Sequence, residues 1–139
     1  MSRGLAAEVV VGSEMEPLAR TVSQRQIAAY AEASGDSNPI HLDPGMARSV
    51  GLPGTIAHGM LEMAILAEAV SRWAGGQERL RELHCRFSKP LFPGETITCT
   101  GRVVAVGDPP GTATLELEAV SSGGERVLTG GRATVLLSE

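Results

Sequence analysis

Apolar and polar positions follow helical spacing in the first half of the chain and alternate in the second half. Over residues 24–34 the apolar side chains recur three and four positions apart, which predicts a helix. Ser23 before this segment and Gln26 three residues later form a capping-box pattern, and Gly35 is placed to end the helix. A short helix near residues 44–50 is also predicted.

A second long helix is predicted from Gly59 to Trp73. This segment is apolar around most of its circumference, unlike a surface helix, which has one polar face. A helix of this kind is buried on several sides. In a domain of this size, a sheet can provide that covering.

The second half of the chain contains four runs in which apolar and polar residues alternate, the pattern of strands with one buried face. Two shorter strands are predicted before the first helix. The six predicted strands lie near residues 9–11, 18–21, 83–87, 97–105, 115–119 and 133–137. We therefore expect an α+β fold in one domain over residues 1–139, with a curved antiparallel sheet around the central helix. In the simplest topology the last four strands form a meander.

Composition restricts the class of protein. The net charge is −4, whereas nucleic-acid-binding domains are usually basic, so we expect no nucleic-acid partner. No apolar stretch is long enough for a membrane span or for the core of a signal peptide. Cys85 and Cys99 do not form a C-x-x-C pair, which favours two buried, reduced thiols and a cytoplasmic location.

The candidate chemistry begins in the turn that follows the first helix. Asp36 and His41 are five residues apart in a segment stiffened by Gly35 and Pro39. A carboxylate and an imidazole can hold one water molecule and divide its proton transfers. Asn38 could orient either group. Each residue alone also fits a structural role, because Asp and Asn commonly hydrogen-bond to the backbone of their own turn.

The start of the long helix provides a second candidate feature. The first N–H groups of a helix have no partner within it and lie at the positive end of its dipole. The N–H of Gly59 could therefore bind a developing negative charge on oxygen, although a glycine used for close packing is an equal alternative. His58 could contact a substrate or act as a second base, or simply pack at the helix start.

Other side chains have weaker signals. Met60 and Met63 fit either the core or the wall of an apolar channel. Arg86 and Lys89 could contact phosphates, although exposed cations are commonly only solvated. The pattern contains no H-x-x-x-H or H-E-x-x-H pair, so no metal site is expected.

Two segments together resemble the MaoC-like, or R-specific enoyl-CoA hydratase, family. They are Ser34-Gly35-Asp36-Ser37-Asn38-Pro39-Ile40-His41 and Ala57-His58-Gly59-Met60. The resemblance continues through Arg86-Phe87-Ser88-Lys89-Pro90 and Pro93-Gly94-Glu95-Thr96, and it covers most of the chain. It implies a hot-dog fold, in which an antiparallel sheet wraps a long helix.

The resemblance also implies a function. Asp36 and His41 would form the catalytic pair, Asn38 would help to position them, and the Gly59 N–H would bind the thioester oxygen. The substrate would be a trans-2-enoyl thioester of CoA or acyl carrier protein, hydrated reversibly to the (3R)-3-hydroxyacyl thioester without metal or cofactor. A homodimer is expected, or a heterodimer with a related subunit. The alternatives are a non-catalytic acyl-binding or partner subunit and a thioesterase, since one fold supports several functions.

Overall fold

The structure is a computed structural model that describes residues 9–137. Within that range it contains five strands, three α-helices and two single-turn 3₁₀ helices. In chain order these are β1 (Glu14–Thr21), α1 (Gln24–Ser34), a 3₁₀ turn (Pro39–His41), α2 (Pro44–Ser49), α3 (Gly59–Ala74), a 3₁₀ turn (Gln77–Arg79), β2 (Leu80–Phe87), β3 (Thr96–Val106), β4 (Thr112–Ser121) and β5 (Arg126–Leu136).

The predicted helices are confirmed with their end signals. The side chain of Ser23 accepts a hydrogen bond from the N–H of Gln26, and the Gln26 side chain accepts one from the N–H of Ser23. Gly35 ends α1 in the left-handed region, with φ at 82°, and its N–H donates to the carbonyl of Ala31. A residue with a side chain is strained in that conformation, so glycine suits the sharp exit from the helix.

The prediction for the N-terminal strands was wrong in part. Residues 9–11 are not a strand, because the N–H of Ser13 donates to the carbonyl of Val10 and closes a turn. One longer strand, β1, replaces the predicted strand at residues 18–21. Its pairing with β3 shifts register between Met15 and Leu18, around Pro17. Proline cannot donate to the ladder, which explains why β1 lacks a clean alternation.

The predicted meander is confirmed only for β3, β4 and β5. All pairings are antiparallel, and the strand order across the sheet is β1-β3-β4-β5-β2. The strand β2 therefore lies beside β5 and not beside β3. Because β1 already occupies the outer side of β3, the free side of β5 is the edge left for β2.

Helix α3 lies inside the curve of this sheet. It contacts β1 and β2, which are the two opposite edges, as well as β3 and β5. A flat sheet of five strands is about 19 Å wide between its edge strands, and a helix is about 10 Å across. One helix can contact both edges only if the sheet wraps around it. The α+β, hot-dog architecture is thus confirmed.

The apolar periodicity of α3 did not predict that a carboxyl group lies on its buried face. Glu62 is only 3% exposed and lies on the helix face that also carries Ile65 and Leu66. Burial raises the pKa of Glu62 to about 8. Burial, and then the charge of Glu62, raise the pKa of the Cys85 thiol.

The two cysteines are free thiols, as expected, but only one is fully buried. Cys99 is buried in the core, whereas Cys85 is half-buried on the edge strand β2. Burial, and secondarily Glu68, raise the pKa of Cys99 to about 12. Of the helices within residues 9–137, none has the length and apolar character needed to cross a membrane.

Replacing Glu62 tests its burial through the pH dependence of stability. Since its pKa is raised from 4.5 to about 8, the folded chain holds a proton there that the unfolded chain has already lost. Stability should therefore fall as pH rises through this window, by up to about 1.4 kcal/mol per pH unit. In Glu62→Gln, the part of this pH-dependent loss of stability that comes from Glu62 should be absent. Urea unfolding of both proteins between pH 5 and 8.5 measures it.

Glu32→Gln is the matched control, because Glu32 is exposed on α1. The control should follow the wild-type pH dependence. A constant stability difference between Glu62→Gln and wild type across this range would contradict the buried, protonated carboxyl group.

Candidate active site

The turn after α1 is built by successive side-chain and backbone hydrogen bonds. The N–H of Asp36 donates to Oγ of Ser34 at 3.2 Å, and the N–H of Asn38 donates to Oδ1 of Asp36 at 3.3 Å. Oδ1 of Asn38 accepts from the N–H of Ile40 at 3.2 Å and caps the following 3₁₀ turn. Asn38 thus shapes the backbone between Asp36 and His41. Its backbone N–H bonds to the Asp36 carboxylate, whereas its side-chain oxygen bonds to the N–H of Ile40.

His41 is held from two sides. It is 7% exposed, and its Nδ1 lies 2.8 Å from the carbonyl oxygen of Ile56. A carbonyl only accepts, so Nδ1 carries a proton, and in the neutral imidazole Nε2 is the nitrogen with the lone pair. Gln24 at the start of α1 donates to the carbonyl of His41 at 2.9 Å and accepts from the hydroxyl of Thr55 at 2.6 Å. Gln24 therefore ties both loops to α1, a role that sequence analysis missed.

His58 lies beneath His41. The two rings are stacked, with centroids 3.8 Å apart and planes inclined by 23°. The rings of Tyr30 and His58 meet edge to face, with centroids 4.8 Å apart. Nε2 of His58 is 3.0 Å from the backbone oxygen of Asp36, so it donates to that oxygen. With 1% exposure, the ring does not face a substrate. This burial disagrees with the prediction that His58 contacts the substrate, because α1 and His41 cover it.

Asp36, His41 and His58 each place one side-chain oxygen or nitrogen within 4.8 Å of the others. A separation within this limit lets one water molecule bridge two of these groups. Asp36 is exposed, so solvent reaches the pair that it forms with His41.

A metal ion does not fit these three side chains. A metal lies close to the plane of each imidazole that binds it, whereas the two imidazoles are stacked face to face with their planes nearly parallel. With centroids 3.8 Å apart and planes inclined by 23°, the in-plane lone pairs of the two rings do not point to one shared position.

Gly59 begins α3 directly after His58. His58 is the N-cap residue but makes no side-chain cap bond, so it leaves the first N–H groups of α3 available. The space that a Cβ of Gly59 would occupy is taken by the ring of Phe87, with Cδ1 2.9 Å from the ideal Cβ position. The close-packing role of Gly59 is therefore present, on the side facing β2.

The other predicted site residues do not form a cluster with Gly59. Met60 is 56% exposed and Phe87 is 55% exposed, so the interpretation of Met60 as a core residue was wrong. Met63 is half-buried on α3, while Arg86 and Lys89 are exposed near the end of β2. Within residues 9–137, neither of these two cations makes an ion pair.

A cleft of about 770 Å³ lies elsewhere, among residues of β1, β3, β4 and β5. It includes Arg102 and Arg132 but neither Asp36 nor His41. Cleft size alone would therefore point away from the group of side chains whose chemistry is described above.

The curved sheet around α3, with this turn at the N-terminal end of the helix, defines a hot-dog protein. The chain belongs to the MaoC-like domain family, which matches residues 7–121. It is 27% identical over 127 residues to an (R)-specific enoyl-CoA hydratase of Aeromonas caviae, covering 91% of this chain and 95% of that one. A solved structure titled as the (R)-hydratase from A. caviae involved in PHA biosynthesis superposes with a TM-score of 0.85 at 29% identity, covering 96% of this chain and 100% of that one.

A second relative shares only a domain-sized segment. The chain is 37% identical over 90 residues to a peroxisomal hydratase-dehydrogenase-epimerase of Saccharomyces cerevisiae. That match covers 65% of this chain but only 10% of the yeast protein. The chain thus corresponds to a small part of this relative and to nearly the whole length of the bacterial hydratase.

The contact between Gly59 and Phe87 can be tested by a double-mutant cycle. A methyl group at Gly59 would displace the ring of Phe87, so Gly59→Ala should be less costly when Phe87 is already alanine. Contacting residues show coupling energies of about 0.5–3 kcal/mol. We expect the lower end of that range, because Phe87 is half-exposed and can move. Urea unfolding of the four proteins measures it.

Gly54→Ala provides the control, because a Cβ at Gly54 would meet nothing within 4 Å. Its effect should be the same with and without Phe87. Strictly additive effects of Gly59→Ala and Phe87→Ala would show that the ring does not occupy this space.

Proposed function

We propose that this chain catalyses the reversible hydration of trans-2-enoyl thioesters to (3R)-3-hydroxyacyl thioesters. The observation that carries the proposal is the pairing of the Asp36 carboxylate and the His41 imidazole, within 4.8 Å, beside the N-terminus of α3. The family membership and the likeness to an (R)-specific enoyl-CoA hydratase over nearly the whole chain support it. The (3R) configuration rests on that likeness alone.

In the hydration direction, one water molecule binds between Asp36 and Nε2 of His41. Because Nδ1 of His41 donates to the carbonyl of Ile56, Nε2 is the ring nitrogen that accepts or delivers a proton. One member of the pair takes a proton from the water as its oxygen bonds to C3, and a proton is delivered to C2. Dehydration is the reverse of these steps. The pair acts as one unit, without an assignment of base and acid to single residues.

Negative charge develops on the thioester oxygen as the C3–O bond forms. The N–H of Gly59 lies at the positive end of the α3 dipole and binds that oxygen. A negative charge on Glu62, in the first turn of the same helix, would oppose this stabilisation. Since its pKa is raised to about 8, Glu62 is mostly protonated at neutral pH and leaves the helix end positive.

The acyl carrier is CoA or acyl carrier protein, both of which present a pantetheine thioester. Arg86 and Lys89 are exposed cations near the end of β2 and would meet phosphate groups of the carrier. Met60 and Met63, on α3 beside Gly59, would line the path of the acyl chain. No metal or cofactor takes part in the proposed reaction. A cytoplasmic location fits the two free thiols.

A homodimer is the proposed assembly, with a related subunit as the alternative partner. Among residues 9–137, β2 pairs only with β5, so its other edge presents backbone groups that no described strand pairs with. Phe87, at the end of β2, is an exposed apolar residue that lies against Gly59, and the next residue in the chain, Met60, is also exposed. Pairing of two β2 edges would satisfy the backbone groups and cover this apolar surface.

Removing either member of the pair should abolish most activity. We expect Asp36→Asn and His41→Ala to reduce kcat for crotonyl-CoA hydration by about 10²–10⁴-fold, the range for general acid–base groups. Loss of the enoyl-thioester absorbance gives the rate. The matched controls are Asp108→Asn and His84→Ala, which make the same changes at exposed positions.

Near wild-type rates in folded Asp36 and His41 variants would refute the mechanism. Release of free thiol, followed with a thiol-reactive dye, would instead indicate a thioesterase. Binding of the acyl thioester without either reaction would indicate an acyl-binding or partner subunit. A rate series over acyl chain length, with CoA and carrier-protein versions, then defines the substrate.

The proposed dimer is tested by placing a charge at the edge. Phe87→Glu should shift the protein from dimer to monomer in sedimentation velocity, because two carboxylates would be brought together beside the paired strands. Val106→Glu is the control, since Val106 is 39% exposed at the end of β3. Unchanged sedimentation of Phe87→Glu, or a monomeric wild type, would count against assembly through β2.

A further inference from the structure

The ring of His58 occupies a place where a hydrocarbon ring would be expected. It is 1% exposed, it contacts Tyr30 and His41, and its Nδ1 has no hydrogen-bond partner within residues 9–137. A buried polar atom without a partner destabilises the folded state. A phenyl ring has a similar shape and would avoid this destabilisation. The benefit of an imidazole must therefore come from its other nitrogen or from its stack.

Both of these contacts lead to the proposed catalytic pair. Nε2 of His58 donates to the backbone oxygen of Asp36 at 3.0 Å, and its ring face lies against the ring of His41 at 3.8 Å. Asp36 is five residues from His41 along the chain, in an exposed turn. His58 is thus one side chain that contacts both members of the pair from the protein interior.

We propose that His58 is a positioning residue that sets the separation between the Asp36 carboxylate and Nε2 of His41. It has no contact with the reacting atoms. The hydrogen bond fixes the backbone of Asp36, while the stack fixes the plane of His41, which the Nδ1 bond to Ile56 alone would leave free to tilt. This inference rests on the proposed function, because it concerns the geometry that the function needs.

The position of His58 in the chain adds a further link. It is the N-cap residue of α3, and its own carbonyl oxygen accepts hydrogen bonds from the N–H groups of Leu61 and Glu62. The residue that holds the pair is therefore covalently joined to Gly59, whose N–H is the proposed oxygen-binding group. A shift of His58 would change the distance between the proton-transferring groups and the oxygen-binding group.

Two variants separate the contributions. His58→Gln retains a side-chain N–H that can reach the carbonyl of Asp36 but loses the ring. His58→Phe retains a ring against His41 but loses the donor. A misplacement of about 1 Å in an active site can lower the rate by about 10²-fold. We expect kcat of His58→Phe to fall by about 10–100-fold and that of His58→Gln to fall less, with KM changed by less than about threefold.

The pH–rate profile provides a readout that a purely structural role would not move. The profile reports the proton-transferring groups of the reaction, so a change in the separation between Asp36 and His41 should alter it. We expect a shifted profile in His58→Phe and a smaller shift in His58→Gln. His84→Gln, the same chemical change on the exposed face of β2, should leave kcat and profile unchanged.

NMR of the imidazole nitrogens tests the arrangement without any activity. In the wild-type protein, His58 should carry its proton on Nε2 and His41 on Nδ1. In His58→Phe, the amide signals of residues 36–41 should shift more than those of the outer strands. A wild-type His58 protonated on Nδ1 alone would overturn the proposal, even if His58→Phe does not fold.

Unchanged kcat and pH profile in a folded His58→Phe would also overturn it. A wild-type protein that hydrates no enoyl thioester would refute the proposed function. The NMR spectra would then test the positioning role of His58 separately. Wild-type-like amide signals for residues 36–41 in His58→Phe would overturn that role.

Discussion

Burial of α3 inside the curved sheet is the constraint on which the rest of the structure depends. The helix is apolar on nearly every side, and burying apolar surface stabilises the fold by about 25 cal/mol per Å². A single sheet can cover such a helix only by bending until both edge strands touch it, as β1 and β2 do. The ends of the helix then become the places where loops can approach. The turn of residues 35–41 lies at its N-terminal end, where the backbone N–H groups have no partner.

The same arrangement explains why polar side chains are tolerated in a small core. His58 begins the helix, and Glu62 follows one turn later on the buried face. Burial raises the pKa of Glu62 to about 8, so the carboxyl group avoids most of the cost of a buried charge. The N-terminal turn of α3 is consequently less stable than an all-apolar one, but it stays electrically positive. Proteins commonly accept such local losses of stability where a site needs a particular electrostatic environment.

The structure could be predicted from the sequence where a local rule decides it. The capping box at Ser23 and the left-handed Gly35 fixed α1, and strand alternation located β2, β3 and β4 closely. It found only the second half of β5, which begins at Arg126 and not near residue 133. The position of β2 beside β5 could not be read, because alternation shows which face of a strand is buried but not which strand lies next to it. Gln24 and the stack of His58 on His41 were missed for a similar reason. Both join segments distant in sequence, and no spacing along the chain encodes their contact.

Phe87 links the site to the edge of the sheet. Its ring fills the space beside Gly59 that a side chain there would need, yet 55% of it remains exposed at the end of β2. An exposed apolar ring next to an unpaired strand edge is unfavourable in an isolated protomer. If two copies pair through this edge, the ring becomes buried and is less free to move away from the start of α3. Assembly and the geometry around Gly59 are then physically coupled, because one side chain serves both.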